Sequence, residues 1–349
     1  MNIAIVAGLS PHKLKTTLIA FSANKAFKRI YLIRKKLFSD PRIVCCSPPK
    51  ILGHVFIGEL YRILTLFYVC LFRKVDVLIG IHFIVHGIYA ALFGMVFRIP
   101  YILYFIEDPK KYRNGWFFRF LVRHAKHVGV RGSHSKQYLV KEVQYPSSQI
   151  FIPLDIYTFK DKAPVFMREK KYDLIFIGNL VKEKRVDILI HIVERLKSVI
   201  PHIKVALIGD GVLRSKIQQM IQDLHLSENI DLLGYQNDID FYIQQSKVFI
   251  LTSQTEGLPT VLFDALNHHL PMVVPNVGDI LDVAQHNVNA LVVEPLNVDQ
   301  FVQSCVKLLT DEKFYRQCVA NIENQIAIKK IEHGFNHVFD IWDKVLNRP

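Results

Sequence analysis

The sequence predicts an α/β protein of two domains, each built around a parallel sheet. Its 349 residues exceed what one hydrophobic core usually contains, so two domains of about 150 to 180 residues are expected. Short apolar runs ending in Gly, His or Asn alternate with helical patterns, which is typical of βαβ units. A second series of these runs begins at Tyr172. It follows a stretch, 152–171, that contains Pro153, Pro164 and a charged cluster and is typical of a linker.

Apolar runs on both sides of the linker are predicted as strands. In the first half they are 2–7, 42–46, 75–82, 101–106 and 127–130. In the second half they are 172–178, 204–209, 230–233, 248–252, 272–275 and 290–293. Helical spacing follows from residue 298 onward. We therefore expect an N-terminal domain over 1–156, a C-terminal domain over 157–330, and a last helix within 331–349 that packs back on the N-terminal domain.

The composition is that of a chain with a large core. Half of the residues are hydrophobic and 21% are charged, with 16 Gly and 15 Pro, which excludes disordered, collagen-like and low-complexity proteins. The 5 cysteines are odd in number and form no C-x-x-C pair, so neither a disulfide framework nor a zinc knuckle is indicated. This cysteine usage favours a reducing, cytoplasmic location.

One apolar stretch is long enough to cross a bilayer. Residues 77–97 contain no Asp, Glu, Lys or Arg. Because His82, His86 and three glycines interrupt the stretch, we interpret it as a buried strand followed by a buried helix from about 85 to 97. No transmembrane helix is predicted, and the N-terminal run 2–7 is interpreted as a first strand and not as a signal peptide.

Positive charge is concentrated in the first half of the chain. Residues 1–150 hold 23 Lys and Arg against 6 Asp and Glu, whereas residues 151–349 hold 21 against 25. A basic domain beside a nearly neutral one indicates a polyanionic partner, either nucleic acid or an anionic membrane surface. Nucleic acid is disfavoured because the sequence contains no helix-turn-helix, RNA-binding sheet motif or zinc finger.

An aromatic and basic segment, 116–126, is the candidate membrane or acceptor surface. On one helix, Arg119, Arg123 and Lys126 would form a stripe beside Trp116 and the neighbouring phenylalanines, which suits contact with anionic lipid. Other basic residues could extend this face: Lys25, Lys28, Arg29, Arg34, Lys35 and Lys36. The alternative is a core-packed helix with a solvated edge.

The segment 251–266 has the strongest chemical signal, since it leaves a strand, crosses a polar loop and enters a helix. Gly257 and Pro259 lie in the loop, and backbone N–H groups at the helix start would face an anion such as a diphosphate. Glu256 precedes the turn and Asp264 lies about two turns into the helix, so one carboxylate can meet a sugar and the other a ribose. The alternative is that Glu256 caps the helix and Asp264 lies on a solvated face.

This segment resembles glycosyltransferase family 4, whose members are retaining enzymes with the GT-B fold of two facing Rossmann-like domains. Three further pieces, in family order, extend the resemblance over most of 172–310: residues 176–190, 205–214 and 230–235. They resemble the family's strand and glycine turn before a Glu-Lys-Gly helix start, its Ile-Gly-x-Gly turn, and its next strand and turn. The resemblance implies an α/β protein of GT-B architecture.

The same resemblance implies a nucleotide-sugar site in the C-terminal domain. Glu256 would contact the donor sugar, Asp264 the ribose and Lys184 the diphosphate, whose charge the lysine would neutralise without a metal or other cofactor. The other donor-binding residues implied by these motifs are Gly178, Asn179, Arg185, Gly209, Asp210, Gly211, Tyr235, Gly257, Leu258, Pro259 and Thr260. A solvent-facing lysine at a helix start is the alternative for Lys184.

Several positions depart from the family pattern. The second of the paired acids is Asp264 in place of glutamate, which shortens its reach. Asn179 replaces a basic residue, and Arg185 replaces a glycine and could supply the second positive charge. Later departures are His269 for a glycine, Asp279 for the second glycine of a pair, and Asp282 for a glutamate. Together they indicate a divergent member with its own donor pocket.

The first half resembles the family loosely. The histidine that often lines the family's site is absent, because its place falls at Ile106 or Glu107. His82 and Glu107 are polar groups at predicted strand ends, where open parallel sheets place their ligands, so both are candidate catalytic residues. A buried, hydrogen-bonded histidine is the competing interpretation of His82. The dinucleotide fingerprint G-x-G-x-x-G is missing after the first strand, which disfavours a nicotinamide enzyme.

We therefore predict a retaining glycosyltransferase that moves a sugar from a nucleoside-diphosphate sugar to a membrane-presented acceptor, preferably a polyprenyl-linked glycan. The expected location is the cytoplasmic face of the membrane, with anionic lipid as a partner. Two alternatives stay open. They are a nucleotide-sugar epimerase of the same fold, and a non-catalytic binding subunit of another transferase.

Overall fold

The computed structural model describes residues 1–8, 18, 27–34, 40–48, 55–112, 115–153, 170–332 and 335–347. They belong to two compact units. Unit 1 comprises Met1–Tyr157 and His333–Pro349, and unit 2 comprises Thr158–Glu332. Each unit is built around one parallel sheet, of 7 strands in unit 1 and 6 strands in unit 2.

The sheet of unit 1 has the strand order β3-β2-β1-β4-β5-β6-β7. Its strands are β1 (Asn2–Ala7), β2 (Arg29–Ile33), β3 (Ile43–Cys46), β4 (Val77–Ile81), β5 (Tyr101–Tyr104), β6 (His127–Gly129) and β7 (Ile150–Phe151). β1 pairs with β2 on one side and with β4 on the other, so the direction of strand addition reverses at β1. Open parallel sheets bind ligands at such a reversal, beyond the carboxyl ends of the strands.

Helices cover both faces of this sheet. The described helices of unit 1 are α1 (Val55–Phe72), α2 (Ile88–Phe97), α3 (Trp116–Arg123), α4 (Ser133–Lys141) and α11 (Phe335–Asn347). Residues of α1 to α4 pack in one buried cluster with Ala4 and Val6 of β1. α11 packs through Trp342 in a second cluster with Ile3 and Ile5. Alternate residues of β1 therefore enter different clusters, as expected for a parallel sheet buried on both faces.

The sequence does not predict β2 and β7. β2 lies in a basic stretch that we interpreted as surface, yet Tyr31 and Ile33 are buried because β2 lies inside the sheet. β7 has 2 residues, too few for a periodic pattern to be read. The other strands of this half are confirmed, although β4 and β5 end earlier than predicted, at Ile81 and Tyr104.

The helix predicted from about 85 to 97 is divided in the structure. A π-helical turn, Phe83–Gly87, precedes α2. The backbone φ angles of His82 and Val85 are 75° and 70°, values that are costly for side chains with a Cβ and above all for β-branched valine. The residues with strained backbone thus lie directly after the end of β4. Within the described residues, no helix is both long enough and apolar enough to span a membrane.

The aromatic and basic helix is shorter than its pattern predicts. α3 ends at Arg123, and Lys126 lies beyond it, where its backbone N–H donates to the Tyr101 carbonyl at 2.9 Å. The predicted continuous stripe of Arg119, Arg123 and Lys126 is therefore wrong, because the chain must straighten to enter β6 at His127.

The sheet of unit 2 has the strand order β10-β9-β8-β11-β12-β13. Its strands are β8 (Tyr172–Ile177), β9 (Val205–Ile208), β10 (Ile230–Gly234), β11 (Ser246–Ile250), β12 (Met272–Pro275) and β13 (Ala290–Val293). Its helices are α5 (Val186–Lys197), α6 (Arg214–Asp223), α7 (Ile239–Gln244), α8 (Val261–Asn267), α9 (Val298–Thr310) and α10 (Glu312–Glu332). All strands predicted in this half are confirmed. Strand addition reverses between β8 and β11.

Trp342 tests how α11 stabilises unit 1. Its ring lies 4.7 Å from that of Phe151 and 6.1 Å from that of Tyr104, and the residue is 2% exposed. Trp342→Ala would leave a large cavity, so we expect the free energy of unfolding of unit 1 to fall by about 3 to 5 kcal/mol. Urea unfolding followed by circular dichroism measures this change. Lys344→Ala, on the exposed side of the same helix, is the control, and an equal loss in both variants would contradict the packing.

Candidate functional site

Two loops of unit 2 meet where the strand order reverses. One leaves β8 at Gly178 and leads to Lys184, and the other leaves β11 and leads to Glu256. Because β8 and β11 are parallel neighbours, both loops emerge at the same edge of the sheet. The backbone N–H of Gln254 donates to the carbonyl of Glu183 at 2.9 Å, which joins the two loops directly.

Lys184 and Glu256 form an ion pair at this edge. Their side chains are 20% and 12% exposed, so the pair is largely removed from water but still accessible. Ser253 Oγ donates to Oε1 of Glu256 at 2.6 Å, and Thr252 Oγ1 donates to the Lys184 carbonyl at 3.0 Å. Both hydroxyl residues are buried. The Glu256 carboxylate and the Lys184 backbone are therefore held by the loop that follows β11, and loss of either charge would leave the other poorly compensated.

Two glycines let the backbone approach closely around this pair. Gly209 has φ +143°, and a Cβ there would lie 1.8 Å from the Gly178 carbonyl oxygen. Gly278 has φ +56°, and a Cβ there would lie 1.9 Å from the carbonyl oxygen of Glu256. Substituted residues at either position would displace the loops that present the pair. Asp279, which stands where a second glycine was expected, is buried, and its N–H donates to the Gly257 carbonyl at 3.0 Å.

The turn after β9 is tied to the loop after β8. The Asp210 carbonyl accepts from the N–H of Leu180 at 2.9 Å, and its carboxylate accepts from the N–H of Gly211 at 2.7 Å. Asn179 is exposed, and Tyr235, which follows β10, is 75% exposed. The remaining predicted loop residues are less accessible: Gly257, Leu258 and Pro259 are buried and Thr260 is half-buried.

Arg185, at the N-cap of α5, forms an ion pair with Asp187 in the first turn of that helix. Its guanidinium donates to Asp187, with Nη2 2.8 Å from Oδ2 and Nε 3.0 Å from Oδ1. These hydrogen bonds hold the pKa of the Asp187 carboxyl below its usual range, although burial opposes the shift. Arg185 has φ +47°, which explains why a glycine is usual at this position of the motif. Its charge is therefore shared with Asp187.

Asp264 is nearer the helix start than the sequence predicts. α8 begins at Val261, so Asp264 lies in its first turn and not about two turns in. The half-buried carboxylate is favoured there by the helix dipole. The residue at the N-cap is Thr260, while Glu256 bonds Lys184 and Ser253. Capping of α8 by Glu256, the alternative raised by the sequence, is therefore excluded.

His269 shows why its position usually holds glycine. Its φ is +57°, and the N–H of Leu270 returns to the Ala265 carbonyl at 2.9 Å, which closes the end of α8. Nδ1 of His269 lies 3.2 Å from Oε1 of Glu323 on α10. The histidine accepts a left-handed backbone and gains a contact between helices. This departure lies at the end of α8 opposite to Asp264.

In unit 1, the sequence-predicted residues His82 and Glu107 come together at the ends of β4 and β5. His82 Nε2 lies 3.5 Å from Oε2 of Glu107. Oε1 of Glu107 accepts from the Tyr112 hydroxyl at 2.5 Å and from the N–H of Phe83 at 3.3 Å. Burial, with a contribution from Glu107, raises the pKa of Tyr112 well above its usual value, so its hydroxyl remains a donor. His82 is 43% exposed and Glu107 is 18% exposed, which leaves the histidine accessible.

A second polar cluster at this edge joins His86, a polar residue near a predicted strand end, to Arg62, which the sequence did not indicate. Arg62 of α1 is 2% exposed, donates from Nη1 to His86 Nε2 at 2.9 Å and pairs with Glu59. The His86 ring packs so closely on Gly8, at the end of β1, that a Cβ at Gly8 would lie 2.3 Å from it. This site lies at the strand-order reversal of unit 1. A charged pair at i and i+3 inside an apolar helix was the available signal.

Some predicted basic surface residues have other contacts. Arg123 donates from Nε to the Val143 carbonyl at 3.0 Å and from Nη2 to Gln144 at 3.1 Å, so it joins α3 to the end of α4. Arg34 is buried and does not extend a surface. Lys28 and Arg29 are exposed. Lys25, Lys35 and Lys36 lie outside the described residues.

The sequence also does not reveal an apolar stripe on α1. Large hydrophobic side chains recur at helical spacing along its outer face, each between 43% and 63% exposed: Ile57, Leu60, Leu64, Phe67, Tyr68, Leu71 and Phe72. Val96 of α2, which packs beside α1, is 74% exposed. Contiguous exposed apolar side chains of this kind are typical of interaction surfaces. The basic residues Arg73, Lys74 and Arg98 follow the two helices.

Parts of the chain are similar in sequence to known glycosyltransferases. Residues 158–325 match the family model described as Glycosyl transferases group 1. An uncharacterized glycosyltransferase of Haemophilus influenzae is 23% identical over 174 residues, which are 50% of this chain and 48% of that protein. The UDP-Gal:alpha-D-GlcNAc-diphosphoundecaprenol alpha-1,3-galactosyltransferase of Escherichia coli is 31% identical over 142 residues, which are 40% of this chain and 35% of that protein. The chain thus spans half or less of the length of these two relatives.

Solved structures match nearly the whole chain. The lipopolysaccharide outer core galactosyltransferase WaaB has a TM-score of 0.71 at 16% identity and covers 99% of both chains. Anabaena HepE in complex with UDP has a TM-score of 0.74 at 14% identity and also covers 99% of both chains. At these identities the likeness shows the fold.

Gly278 provides a test of the loop geometry in unit 2. Gly278→Ala places a Cβ against the Glu256 carbonyl and forces a left-handed backbone on alanine, so we expect a loss of at least about 2 kcal/mol in local stability. Hydrogen exchange at the amides of β11 and β12 measures this loss. Gly115→Ala is the control, because a Cβ there meets nothing closer than 3.5 Å. Unchanged protection in Gly278→Ala would contradict the close approach.

Proposed function

Because residues 158–325 match the model of the group 1 glycosyltransferases and the chain has the GT-B fold, we propose that it is a member of that family, family 4, and a retaining enzyme acting on a membrane-presented acceptor. The donor would be a nucleoside-diphosphate sugar bound by unit 2. The observation that carries this proposal is the Lys184–Glu256 ion pair at the strand-order reversal of that unit.

A nucleoside-diphosphate sugar carries both sugar hydroxyls and a diphosphate, and this ion pair offers a group for each. Lys184 and Ser253 both contact Oε1 of Glu256, so we assign Oε2 to the hydroxyls of the donor sugar. The Lys184 ammonium would neutralise the charge that builds on the departing diphosphate. Asp264 is assigned to the ribose. The glycine turns and exposed residues after β8, β9 and β10, described above, would hold the nucleotide.

In the proposed step, the acceptor hydroxyl oxygen bonds to the anomeric carbon on the face from which the diphosphate departs. The bond between that carbon and the diphosphate oxygen breaks, and its electron pair stays on the diphosphate. The hydroxyl proton moves to an oxygen of that leaving group. The products are the glycosylated acceptor, with its anomeric configuration retained, and the nucleoside diphosphate.

His82 and Glu107 of unit 1 are assigned to the acceptor. Glu107 is fixed by Tyr112 and the Phe83 backbone, so it can hold the accessible His82 ring in one orientation. An imidazole held in this way can hydrogen-bond an acceptor hydroxyl. The left-handed backbone of His82 supports a functional role, since such strain is retained where a site needs it.

We infer that the acceptor is polyprenyl-linked and that unit 1 lies on an anionic membrane surface. The name of the Escherichia coli relative specifies a diphosphoundecaprenol-linked acceptor for that protein. In this chain, the apolar stripe of α1 and the excess of basic residues in its first half support a lipid surface. A cytoplasmic, peripheral location follows from this proposal.

The donor site is tested by two substitutions with neighbouring controls. Lys184→Met and Glu256→Gln are each expected to lower the rate of nucleotide release from the preferred donor about 100-fold to 1,000-fold, because each removes a group that acts on the reacting sugar diphosphate. A panel of UDP-, GDP- and ADP-sugars, with and without a lipid-linked acceptor extract, identifies that donor. Lys182→Met and Glu183→Gln change the same charges on exposed side chains of the same turn and should retain the rate.

The same assay separates the alternatives. Conversion of the nucleotide sugar without acceptor, and without nucleotide release, would establish an epimerase instead. Donor binding that never leads to turnover, with equal affinity in wild type and both variants, would establish a non-catalytic binding subunit. Release that rises with acceptor and falls in Lys184→Met and Glu256→Gln supports the transferase.

The apolar stripe is tested by flotation with vesicles that contain anionic lipid. Leu64 is 59% exposed, and Leu64→Glu places a carboxylate in the stripe, so we expect the bound fraction to fall about tenfold. Val212→Glu, at an 89% exposed position of unit 2, is the control and should bind as wild type does. A wild-type protein that does not float but dimerises, and a Leu64→Glu variant that is monomeric, would identify the stripe as a protein interface instead.

A further inference from the structure

A cavity of about 480 Å³ opens in unit 1 among the turn Pro109–Tyr112, α3 and α4. Its size is in the range of small-ligand pockets. The side chains that line it and bear on its chemistry are Lys110, Arg119, His134, Tyr138, Lys141 and Glu142. It is separate from the His82–Glu107 pair, neither member of which lines it.

The lining of this cavity carries more positive than negative charge. Among the described residues, no carboxylate lies within ion-pair distance of Lys110, Arg119 or Lys141. Glu142 is the acid in the lining, beside the basic residues Lys110, Arg119, Lys141 and His134. Like charges gathered in one concave site repel one another when it is empty, and an anion relieves that repulsion. The cavity is therefore complementary to an anion.

The three basic side chains come from three separate elements. Their proximity is therefore not the result of helical spacing along one element. Lys110 comes from the turn after β5, Arg119 from α3 and Lys141 from the last turn of α4. Arg119 can offer two parallel N–H groups to phosphate oxygens, while the lysines act as point charges. His134 lies in the first turn of α4, the positive end of that helix dipole. Phosphate is the anion that this combination fits best.

The surroundings indicate what the phosphate is attached to. Trp116 and Phe120, one turn apart on α3, flank Arg119 in sequence and are 78% and 40% exposed. They form an exposed apolar surface on α3, the helix that carries Arg119. Glu142 can accept hydrogen bonds from sugar hydroxyls. A sugar, a phosphate and an apolar chain in one molecule would use all three features.

We propose that this cavity binds the phosphoryl linkage of a lipid-linked acceptor, with the lipid chain on Trp116 and Phe120 and the sugar toward Glu142. The inference rests on the proposed transferase function and assigns a binding site in unit 1 to the phosphate of its acceptor. The cavity would position the acceptor, and so its loss should raise the acceptor KM while the donor KM stays unchanged.

The test compares two double variants, each of which removes one positive charge from the turn Pro109–Tyr112 and one from α4. Lys110→Gln/Lys141→Gln removes two lining cations, and Lys111→Gln/Lys136→Gln removes two cations from the same turn and the same helix that do not line the cavity. Trp116 fluorescence reports binding, because the other tryptophan, Trp342, is buried. Farnesyl diphosphate is the probe. Inorganic pyrophosphate, farnesol and phosphatidylglycerol vesicles separate the head, the tail and a bulk lipid surface.

We expect farnesyl diphosphate to bind more tightly than pyrophosphate, and farnesol not to bind. Lys110→Gln/Lys141→Gln should weaken farnesyl diphosphate binding about tenfold or more, and the matched control less than about twofold. Equal weakening in both variants, or a response to phosphatidylglycerol vesicles alone, would overturn the proposal. The binding assay needs no turnover, so its result is independent of the donor assays. A normal donor rate with an unchanged acceptor KM in Lys110→Gln/Lys141→Gln would overturn the cavity's role and leave the transferase intact.

Discussion

The ion pair of Lys184 and Glu256 joins residues 72 positions apart, and it forms because β8 and β11 are parallel neighbours. Strand order decides which loops meet, since parallel strands deliver their following loops to one edge. The buried hydroxyls of Ser253 and Thr252, in the loop that follows β11, then bond the Glu256 carboxylate and the Lys184 carbonyl. Desolvated charges of this kind are stable where hydrogen bonds complete their environment. The site is thus a consequence of sheet topology together with a few polar contacts.

Most strands and turns of unit 2 can be predicted from its sequence, because the local residue pattern and the tertiary packing favour the same structure there. Its strands are apolar runs of sufficient length, and several are followed by a turn glycine that the backbone requires. Gly209 and Gly278 illustrate this, since the structure leaves no room for a Cβ at either. The sequence was less informative where an unusual residue occupies a glycine-type position. Arg185 and His269 both have positive φ, and each gains a contact with an acid that no local pattern indicates.

Less of unit 1 can be predicted from its sequence, because β2, the strained turn and the polar clusters all depend on tertiary contacts. β2 is hidden in a basic stretch, since its neighbours in the sheet, and not its own composition, decide its burial. The strained turn at His82 and Val85 has no sequence signature, because neither residue type prefers a left-handed backbone in that context. Strand-end position alone predicted His82 and Glu107, and the structure brings them together. Arg62 needed the fold to be recognised, since its partner His86 is 24 residues away.

The excess of positive charge in the first half is better understood once its residues are placed. Net charge alone predicts attraction to any polyanion and cannot select one. Arg123 and Arg34 are used within the fold, which removes them from that surface. What remains in unit 1 is an apolar stripe on α1 and a cationic cavity beside α3 and α4, helices that pack in the same buried cluster. A purely ionic partner would leave the stripe unexplained, and a purely apolar one would leave Arg119 and Lys141 uncompensated. An amphiphile with a phosphorylated head satisfies both, which is the physical reason for favouring a lipid-linked acceptor over a free sugar.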